Sequence, residues 1–343
     1  MRTVVLHLTG SATTPFLADL SLLYARDCWT ATADPTRYAM HLAHVSPDGS
    51  WRFPEDPGER ALAEADPLEL PQAVHRLADL RPHVVVPQMF CRPGMTTYRS
   101  LLDLLGLPYV GNPAEVMAIG TDKAHTRALL AAAGVPVPPA QLLRPGEQPT
   151  LAPPVVVKPV DSDNSAGVTL VRHEHEYPDA LAGAFARAGS GRVLVESYVE
   201  LGREVRCGVL ERGGDLVCLP LEEYALHPHE RPIRSQADKL VRTASGELVM
   251  TAKSAEHAWI VDPGDSVTGP VHEAARRAHR ALGCRDYSLF DVRIDPAGRP
   301  WFLEAGLYCS FARTSVVVGM AEAAGTALPE LFATMVRRAR ARA

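Results

Sequence analysis

The sequence has few features of a secreted or membrane-spanning protein. Its six cysteines are scattered over 343 residues without a C-x-x-C pair, which argues against a disulfide framework and against a structural zinc site. No stretch approaches the ~20 apolar residues that a transmembrane helix needs. The apolar run at the N-terminus is short and contains His7, so it does not resemble a signal sequence. We therefore expect a cytoplasmic protein that does not associate with membranes.

An excess of positive charge is also missing. The formal net charge is -5, which does not favour a nucleic-acid partner. The basic stretch "RRARAR" near the C-terminus is better explained as the solvated end of a helix, where cations complement the helix dipole. A chain of 343 residues is long enough for two or three domains.

Several well-known site motifs are absent. The sequence contains no G-x-x-x-x-G-K-[ST] phosphate loop, and no G-x-G-x-x-G follows the first apolar run. H-E-x-x-H and G-x-S-x-G are missing as well, which excludes the usual signatures of zinc proteases and α/β-hydrolases. Any nucleotide chemistry must therefore use other residues.

The N-terminal part alternates between strand and helix patterns. Val4–Leu8, His83–Pro87 and Pro108–Val110 are predicted strands, and Pro71–Leu80 is a predicted helix. Short joints between alternating helices and strands are typical of a parallel sheet covered on both faces. We therefore predict an α/β fold class, with a first α/β domain that ends at about Gly120.

The stretch "VVVKPVDSDNSAGVTLV" combines a buried strand with a bare loop. Val155–Val157 predict the strand, and Lys158 stands at its end, where a buried ammonium is costly unless an anion meets it. The small residues of Asp161–Gly167 leave room for backbone N–H groups to turn toward phosphate oxygens. From the residues alone, a phosphate-binding loop and a plain hairpin remain open alternatives.

Two carboxylates occupy a second pair of predicted strands. Asp291 lies in "YSLFDVRID" and Glu304 in "RPWFLEAG", two segments joined by a Pro-Ala-Gly turn. Carboxylates brought together on adjacent strands repel each other, so they favour a divalent cation between them. The alternative is an ion pair within the sheet, since Arg293 is predicted to share a face with Asp291.

Five stretches in this order resemble the D-alanine–D-alanine ligase branch of the ATP-grasp family. They are "GLPYVGNPAEVMAIGTDKAHTRALLAAAGVPVP", "VVVKPVDSDNSAGV", "VLVESYVELGREVRCGVL", "QADK" and "FDVRIDPAGRPWFLEAG", and the similarity extends from about Arg81 to the C-terminus. The resemblance implies an N-terminal α/β domain at residues 1–120. It also implies a central ATP-grasp subdomain at 121–195 and a C-terminal subdomain at 196–343, which together clamp ATP.

The resemblance also implies roles for individual residues. Lysines would hold the ATP phosphates, a loop would cover them, and a pair of residues would face the adenine, with a glutamate on the ribose. The implied ATP-binding residues are Lys123, Lys158, Asn164, Ser165, Gly167, Glu196, Val199, Glu204 and Lys239. Asp291 and Glu304 would hold two Mg²⁺ ions, with Mn²⁺ as an alternative. The candidate catalytic residues are Arg293, Lys239 and Ser315.

The chain departs from the family pattern at several of these places. Leu289 stands where the family has an oxyanion-stabilising arginine, and Arg293 is the candidate replacement. Gly306 stands where the family has a metal-binding asparagine. The family's N-terminal loop carries an acid for the first substrate's ammonium, but here no acid precedes Asp19 in that loop. The basic stretch "CRPGMTTYRS" also replaces an acidic loop of the family, so we expect D-alanine to be a poor substrate.

The implied reaction is ATP-dependent amide formation between two amino acids through an acyl phosphate, with release of ADP and phosphate. We expect a biosynthetic ligase that makes a dipeptide or γ-glutamyl bond. A true D-alanine–D-alanine ligase and a non-catalytic nucleotide-binding protein are the alternatives. The long segment Glu222–Asp265 is the predicted lid. The expected partners are small amino-acid substrates and, because relatives are often dimers, a second copy of the chain.

Overall fold

The chain divides into two compact units. The structure is a computed structural model that describes residues 2–162, 165–227, 230, 232–234, 241–242, 248–249 and 257–342. Unit 1 comprises Met1–Ala118, Cys284–Tyr287 and Leu307–Ala343, and unit 2 comprises Ile119–Gly283 and Ser288–Gly306. The predicted division into three parts at residues 120 and 195 is finer than this one and stays a prediction.

Unit 1 is built on a four-stranded sheet in the order β3-β2-β1-β4. Its strands are β1 (Thr3–Gly10), β2 (Tyr38–Val45), β3 (Trp51–Arg52) and β4 (Val84–Pro87). Both β2 and β4 pair with β1 in parallel, which confirms the predicted parallel sheet, while β3 is antiparallel to β2. The predicted strand at Pro108–Val110 is reduced to a single bridge between Tyr109 and Val85.

Helices cover this sheet because its strands are apolar on both faces. The helices of unit 1 are α1 (Pro15–Thr32), α2 (Glu59–Glu64), α3 (Leu70–Leu80), α4 (Arg92–Met95), α5 (Thr97–Leu104), α10 (Val316–Ala323) and α11 (Leu328–Arg340). Helix α6 (Ala114–Gly120) begins in unit 1 and ends in unit 2. The buried core includes Leu6, Leu8, Trp51 and Val85. Among the described helices, none alone has the length and apolarity to cross a bilayer, although α10 and α11 meet both criteria as a pair bent by 110°.

The first sheet of unit 2 contains the valine-rich strand that stood out in the sequence. It has the order β5-β8-β6-β7, all antiparallel, with β5 at Ala140–Leu143, β6 at Val155–Pro159, β7 at Thr169–Val171 and β8 at Val193–Ser197. Val155 and Val157 are fully buried in a core shared with helix α8 (Tyr177–Phe185), which follows a 3-10 turn at Glu174–Glu176. The predicted strand, loop and second strand are therefore present.

The second sheet of unit 2 places the predicted metal-binding carboxylates. Its path is β14-β11-β9-β15-β16, and β10 also pairs with β9. The strands are β9 (Arg203–Arg212), β10 (Asp215–Cys218), β11 (Glu222–Tyr224), β14 (Ala258–Ile260), β15 (Tyr287–Ile294) and β16 (Pro300–Gly306). A separate pair is formed by β12 (Val241–Arg242) and β13 (Leu248–Val249). Helices α7 (Lys123–Ala132) and α9 (Thr268–Leu282) complete the described part of the unit.

Candidate functional site

One cleft in unit 2 gathers most of the residues predicted from the sequence. It is partly open to solvent and has a cavity volume of about 90 Å³. Nine predicted residues line it: Lys123, Lys158, Ser165, Glu196, Val199, Glu204, Asp291, Arg293 and Glu304. These residues come from two sheets, from the loops after β6 and β8 and from the start of α7, so only folding brings them together. Asn164 and Lys239 lie outside the described residues.

The loop after β6 contains two residues in the left-handed backbone region. Ser165 and Gly167 both have positive φ angles, of 59° and 74°. A Cβ atom on Gly167 would lie 3.0 Å from Pro159 Cγ and 3.1 Å from Arg187 Cδ, so this position leaves little room for a side chain. Ser162 Oγ closes the loop by donating to the carbonyl of Ala166 at 2.9 Å.

Lys158 projects from the end of β6 into a buried ion pair. Its Nζ lies 2.5 Å from Glu196 Oε2, and the two side chains are only 9% and 6% exposed. Glu196 is on the neighbouring strand β8, directly opposite Val156. Arg127 of α7 lies close to the same carboxylate, with Nε 3.6 Å from Glu196 Oε1. The carboxylate of Glu196 therefore offsets the free-energy cost of burying the Lys158 ammonium in the cleft.

Lys123 stands at the first position of α7 and contacts strand β16. Its Nζ donates to the carbonyl of Ser162 at 2.5 Å and lies 3.0 Å from Glu304 Oε1. The N-cap of α7 is Asp122, whose carboxylate accepts from the backbone N–H groups of Ala124 and His125. An aspartate at this position both caps the helix and favours its positive end.

A row of charged side chains runs across the second sheet. Asp291 on β15 is directly opposite Glu304 on β16, and Glu222 on β11 is directly opposite Arg206 on β9. Arg206 Nε donates to Asp291 Oδ1 at 2.8 Å and its Nη1 lies 4.0 Å from Glu222. Arg234 donates to the other oxygen of Asp291, so both oxygens of this carboxylate accept from guanidinium groups.

Tyr224 supports the two arginines of this row. The guanidinium carbons of Arg234 and Arg206 lie 4.2 Å and 4.9 Å from its ring centroid, a distance at which the aromatic face attracts a cation. The phenol donates to Glu222 at 3.1 Å, and burial raises the pKa of Tyr224 well above its ordinary value. The tyrosine therefore stays neutral and fixes the positions of both guanidinium groups.

Arg293 is held by Glu204. Its Nε and Nη2 donate to Glu204 Oε2 at 3.1 Å and 2.6 Å, and its remaining donors reach the carbonyls of Val199 and Pro232. The sequence had suggested an ion pair between Arg293 and Asp291, but the guanidinium donors to Asp291 are Arg206 and Arg234. The sequence could have indicated Arg206 as a residue of this site. In "REVR" it lies two residues after Glu204, which places both side chains on one face of a strand.

Metal-binding side chains are few in this cleft. In the part of the chain that the structure describes, no group of three or more His, Cys, Asp or Glu residues is placed to hold a metal ion. Gly306 and Leu289 face each other at the far end of the β15–β16 pair, so this end offers no side-chain oxygen. Within the described residues, the facing carboxylates of Asp291 and Glu304 are therefore not completed to a metal-binding group by a third side chain.

Ser315 belongs to the other unit. It precedes α10 in unit 1, and its Oγ lies 3.4 Å from Cys309 Sγ. Arg99 belongs to the basic stretch "CRPGMTTYRS". It is 1% exposed and donates to the carbonyls of Val110 and Asn112, so it holds the backbone that follows α5.

Comparison with known proteins identifies the family. The family model described as D-ala D-ala ligase C-terminus matches residues 129–337. A D-alanine–D-alanine ligase of Mycolicibacterium smegmatis is 33% identical, over 90% of this chain and 88% of its own length. One from Gloeobacter violaceus is 32% identical, over 70% of this chain and 76% of its own length.

Solved structures agree on the fold. The D-Ala:D-Ser ligase VanG of Enterococcus faecalis has a TM-score of 0.77 at 21% identity, over 99% of this chain and all of the other. The D-alanine–D-alanine ligase of Coxiella burnetii has a TM-score of 0.75 at 22% identity, over 99% and 94% of the two chains. The chain therefore belongs to the D-alanine–D-alanine ligase family and has the ATP-grasp fold.

Proposed function

We propose that the chain joins two D-amino acids through an acyl phosphate, with D-alanine the first substrate to test. As a member of its family it is an ADP-forming ATP-grasp ligase. The observation that carries the proposal is the convergence of nine predicted residues in one cleft of a chain that is 33% identical to a D-alanine–D-alanine ligase. The cleft contains lysines, arginines and carboxylates, which suits a reaction that depends on positioning and charge neutralisation.

ATP would lie in this cleft with its phosphates on the lysines. Lys123 and Lys158 each have a carboxylate partner, Glu304 and Glu196, and each would exchange part of that contact for phosphate oxygens. The glycine-containing loop after β6 would cover the phosphates with backbone N–H groups. Glu196 and Val199 would border the adenine, and Glu204, oriented by Arg293, would accept from the ribose hydroxyls. Lys239, Asn164 and Ser315 keep their predicted roles only as expectations.

The oxygen ligands in the cleft fit one divalent cation. Mg²⁺ prefers carboxylate oxygens and keeps several waters, so one carboxylate together with ATP phosphates can satisfy it. Glu304, which is 30% exposed and opposite Asp291, would hold this ion. When bound, the ion would neutralise the charge on the transferring phosphoryl group. Asp291 is less suited, because both its oxygens accept from guanidinium groups.

The first amino acid would use its carboxylate to attack the γ-phosphate, and the amine of the second would then displace phosphate. The protein's part is to hold the reactants in line and to keep water from the acyl phosphate. The second candidate substrate class, an acid without a simple α-ammonium, is favoured by the loop after β1. There Ser11 Oγ accepts from the backbone N–H groups of Thr13 and Thr14, and no carboxylate lies between Thr9 and Ala18.

The test is product analysis with ATP, Mg²⁺ and D-alanine, followed by pairs of other amino acids. We expect ADP and orthophosphate in amounts equal to the dipeptide. AMP and pyrophosphate would contradict the assignment to an ADP-forming ligase. Rapid dimerisation of D-alanine would exclude the second candidate, whereas turnover only with another acid would establish it. A homodimer and a cytoplasmic location stay predictions.

A further inference from the structure

Six charged side chains of unit 2 form a continuous network of ion pairs. Its members are three carboxylates and three guanidiniums: Glu204, Glu222, Asp291, Arg206, Arg234 and Arg293. Arg206 bridges Glu222 and Asp291, and Arg234 bridges Asp291 and Glu204. Among these six side chains, three negative charges are therefore balanced by three positive charges.

Asp291 lies inside this network rather than at its edge. Its side chain is 11% exposed, and it accepts from Arg206 on one oxygen and from Arg234 on the other. A divalent cation at Asp291 would have to displace at least one guanidinium and then remain close to both positive charges. Repulsion between these like charges and the loss of at least one charge-assisted hydrogen bond both oppose such binding.

Glu304 is placed differently. It is 30% exposed, borders the cleft and has Lys123 as its ion-pair partner at 3.0 Å. Lys123 also donates to the carbonyl of Ser162, so this ammonium keeps a partner if a metal ion takes its place at Glu304. Gly306, the next residue on the same face of β16, adds no ligand that would draw an ion toward β15.

We propose that this chain binds a single divalent cation, on Glu304, and that Arg206 and Arg234 supply at Asp291 the positive charge that a second cation would otherwise bring. The inference rests on the proposed function, because the ion is held together with the nucleotide. It makes Arg206 and Arg234 positioning residues, which fix Asp291 and leave Glu304 as the metal ligand.

The direct test counts metal ions. Mn²⁺ is titrated into the protein with saturating adenylyl imidodiphosphate, a nonhydrolysable ATP analogue, and followed by electron paramagnetic resonance. We expect one Mn²⁺ per chain and a spectrum without exchange coupling. Two Mn²⁺ at the ~3.5–4 Å typical of two-metal sites would be coupled, and that result would overturn the inference. Absence of analogue binding would instead count against the proposed function.

Substitutions then locate the ion. Glu304→Gln should weaken Mn²⁺ binding more than about tenfold, and the isosteric change Asp291→Asn should weaken it clearly less. The reverse order would contradict the inference. Neither change removes side-chain volume from the sheet, so analogue binding can confirm that both variants are folded.

A third variant tests the exclusion of the second ion. Arg206→Met leaves Asp291 with one cation, so a second Mn²⁺ should now bind. Arg203→Met is the matched control, since Arg203 lies on the same strand but pairs with Glu223 and Asp265. The control should keep one Mn²⁺. A single Mn²⁺ in Arg206→Met, with normal analogue binding, would show that Arg206 does not exclude the second ion and would overturn the inference.

Discussion

Arg293 donates two hydrogen bonds to a single oxygen of Glu204, and the two side chains are 4% and 3% exposed. This pair joins β9 to β15 beside the cleft. Because Arg293 Nη1 and Nη2 also reach the carbonyls of Val199 and Pro232, the guanidinium is fixed in place by four contacts. A side chain held in this way is suited to orient Glu204. A role for Arg293 as the oxyanion donor stays a prediction.

Arg293→Leu is therefore expected to act on nucleotide binding. Losing a charged hydrogen bond of about 1.5–3 kcal/mol at the ribose would raise the KM for ATP by roughly tenfold or more. We expect kcat to change much less, because Glu204 would contact ATP in the ground state as well as in the transition state. Steady-state kinetics and nucleotide affinity, measured on the same variant, check this.

The opposite kinetic result would support Arg293 as the oxyanion donor. A loss of ~10²–10³ in kcat with unchanged ATP affinity is what an oxyanion donor predicts. Arg203→Leu is the control, since it removes an arginine from the neighbouring strand β9 and breaks its ion pairs with Glu223 and Asp265. That variant should keep both KM and kcat.

Glu304→Gln should reduce turnover by about 10² or more while nucleotide affinity falls less. The amide preserves the shape of the side chain but removes the negative charge that would hold the divalent ion. Phosphate release at saturating Mg²⁺, compared with the affinity for ADP, measures the two effects. Full activity of the variant would assign Glu304 a purely structural role.

The pair formed by Lys158 and Glu196 allows a double-mutant cycle. Lys158→Met leaves Glu196 buried with only the more distant Arg127, and breaking a buried ion pair costs about 3–5 kcal/mol of folding free energy. Glu196→Gln in the same chain should recover much of this stability. Denaturant unfolding of the two single variants and the double variant gives the coupling energy.

The affinity for ATP should not change in parallel with the folding stability across these three variants. If Lys158 holds phosphates, the double variant regains the fold but not the affinity for ATP. If ATP affinity returns with stability, Lys158 serves only the sheet and its role at the phosphates is excluded.

Stability should fall as the solution becomes acidic, because unit 1 contains buried neutral histidines. Burial, offset in part by the hydrogen bond to Gln88, lowers the pKa of His7 from 6.5 to about 4, and burial together with the charge on Arg52 lowers the pKa of His44 to about 4. The unfolded chain therefore binds these protons at a higher pH than the folded chain does. The loss begins as pH falls through 6.5 and continues toward pH 4.

Each of these two histidines should lower the free energy of unfolding by about 2 kcal/mol between pH 7 and pH 5. His7→Gln should make the decline less steep, as measured by denaturant unfolding at several pH values. His75→Gln, a change at an exposed histidine of helix α3, is the control and should leave the slope unchanged. An equal slope in His7→Gln and the unmodified protein would contradict the assignment.

Much of the local structure follows from the sequence by itself. The apolar runs at Val4–Leu8 and Val155–Val157 become buried strands because branched side chains alternate between two covered faces. The small residues before Gly167 predicted a loop between two strands, and Ser165 and Gly167 have positive φ angles in that loop. The motif order was enough to identify the family.

The contacts within the cleft were decided by the tertiary structure. Sequence spacing placed Arg293 near Asp291, but the pairing of β9 with β15 brings Glu204 to Arg293 and Arg206 to Asp291. Arg234 reaches the same carboxylates from a distant part of the chain, which no local pattern predicts. These partners lie 30 to 89 residues apart. Their contacts depend on strand order and register, which are set by the packing of the whole unit rather than by neighbouring residues.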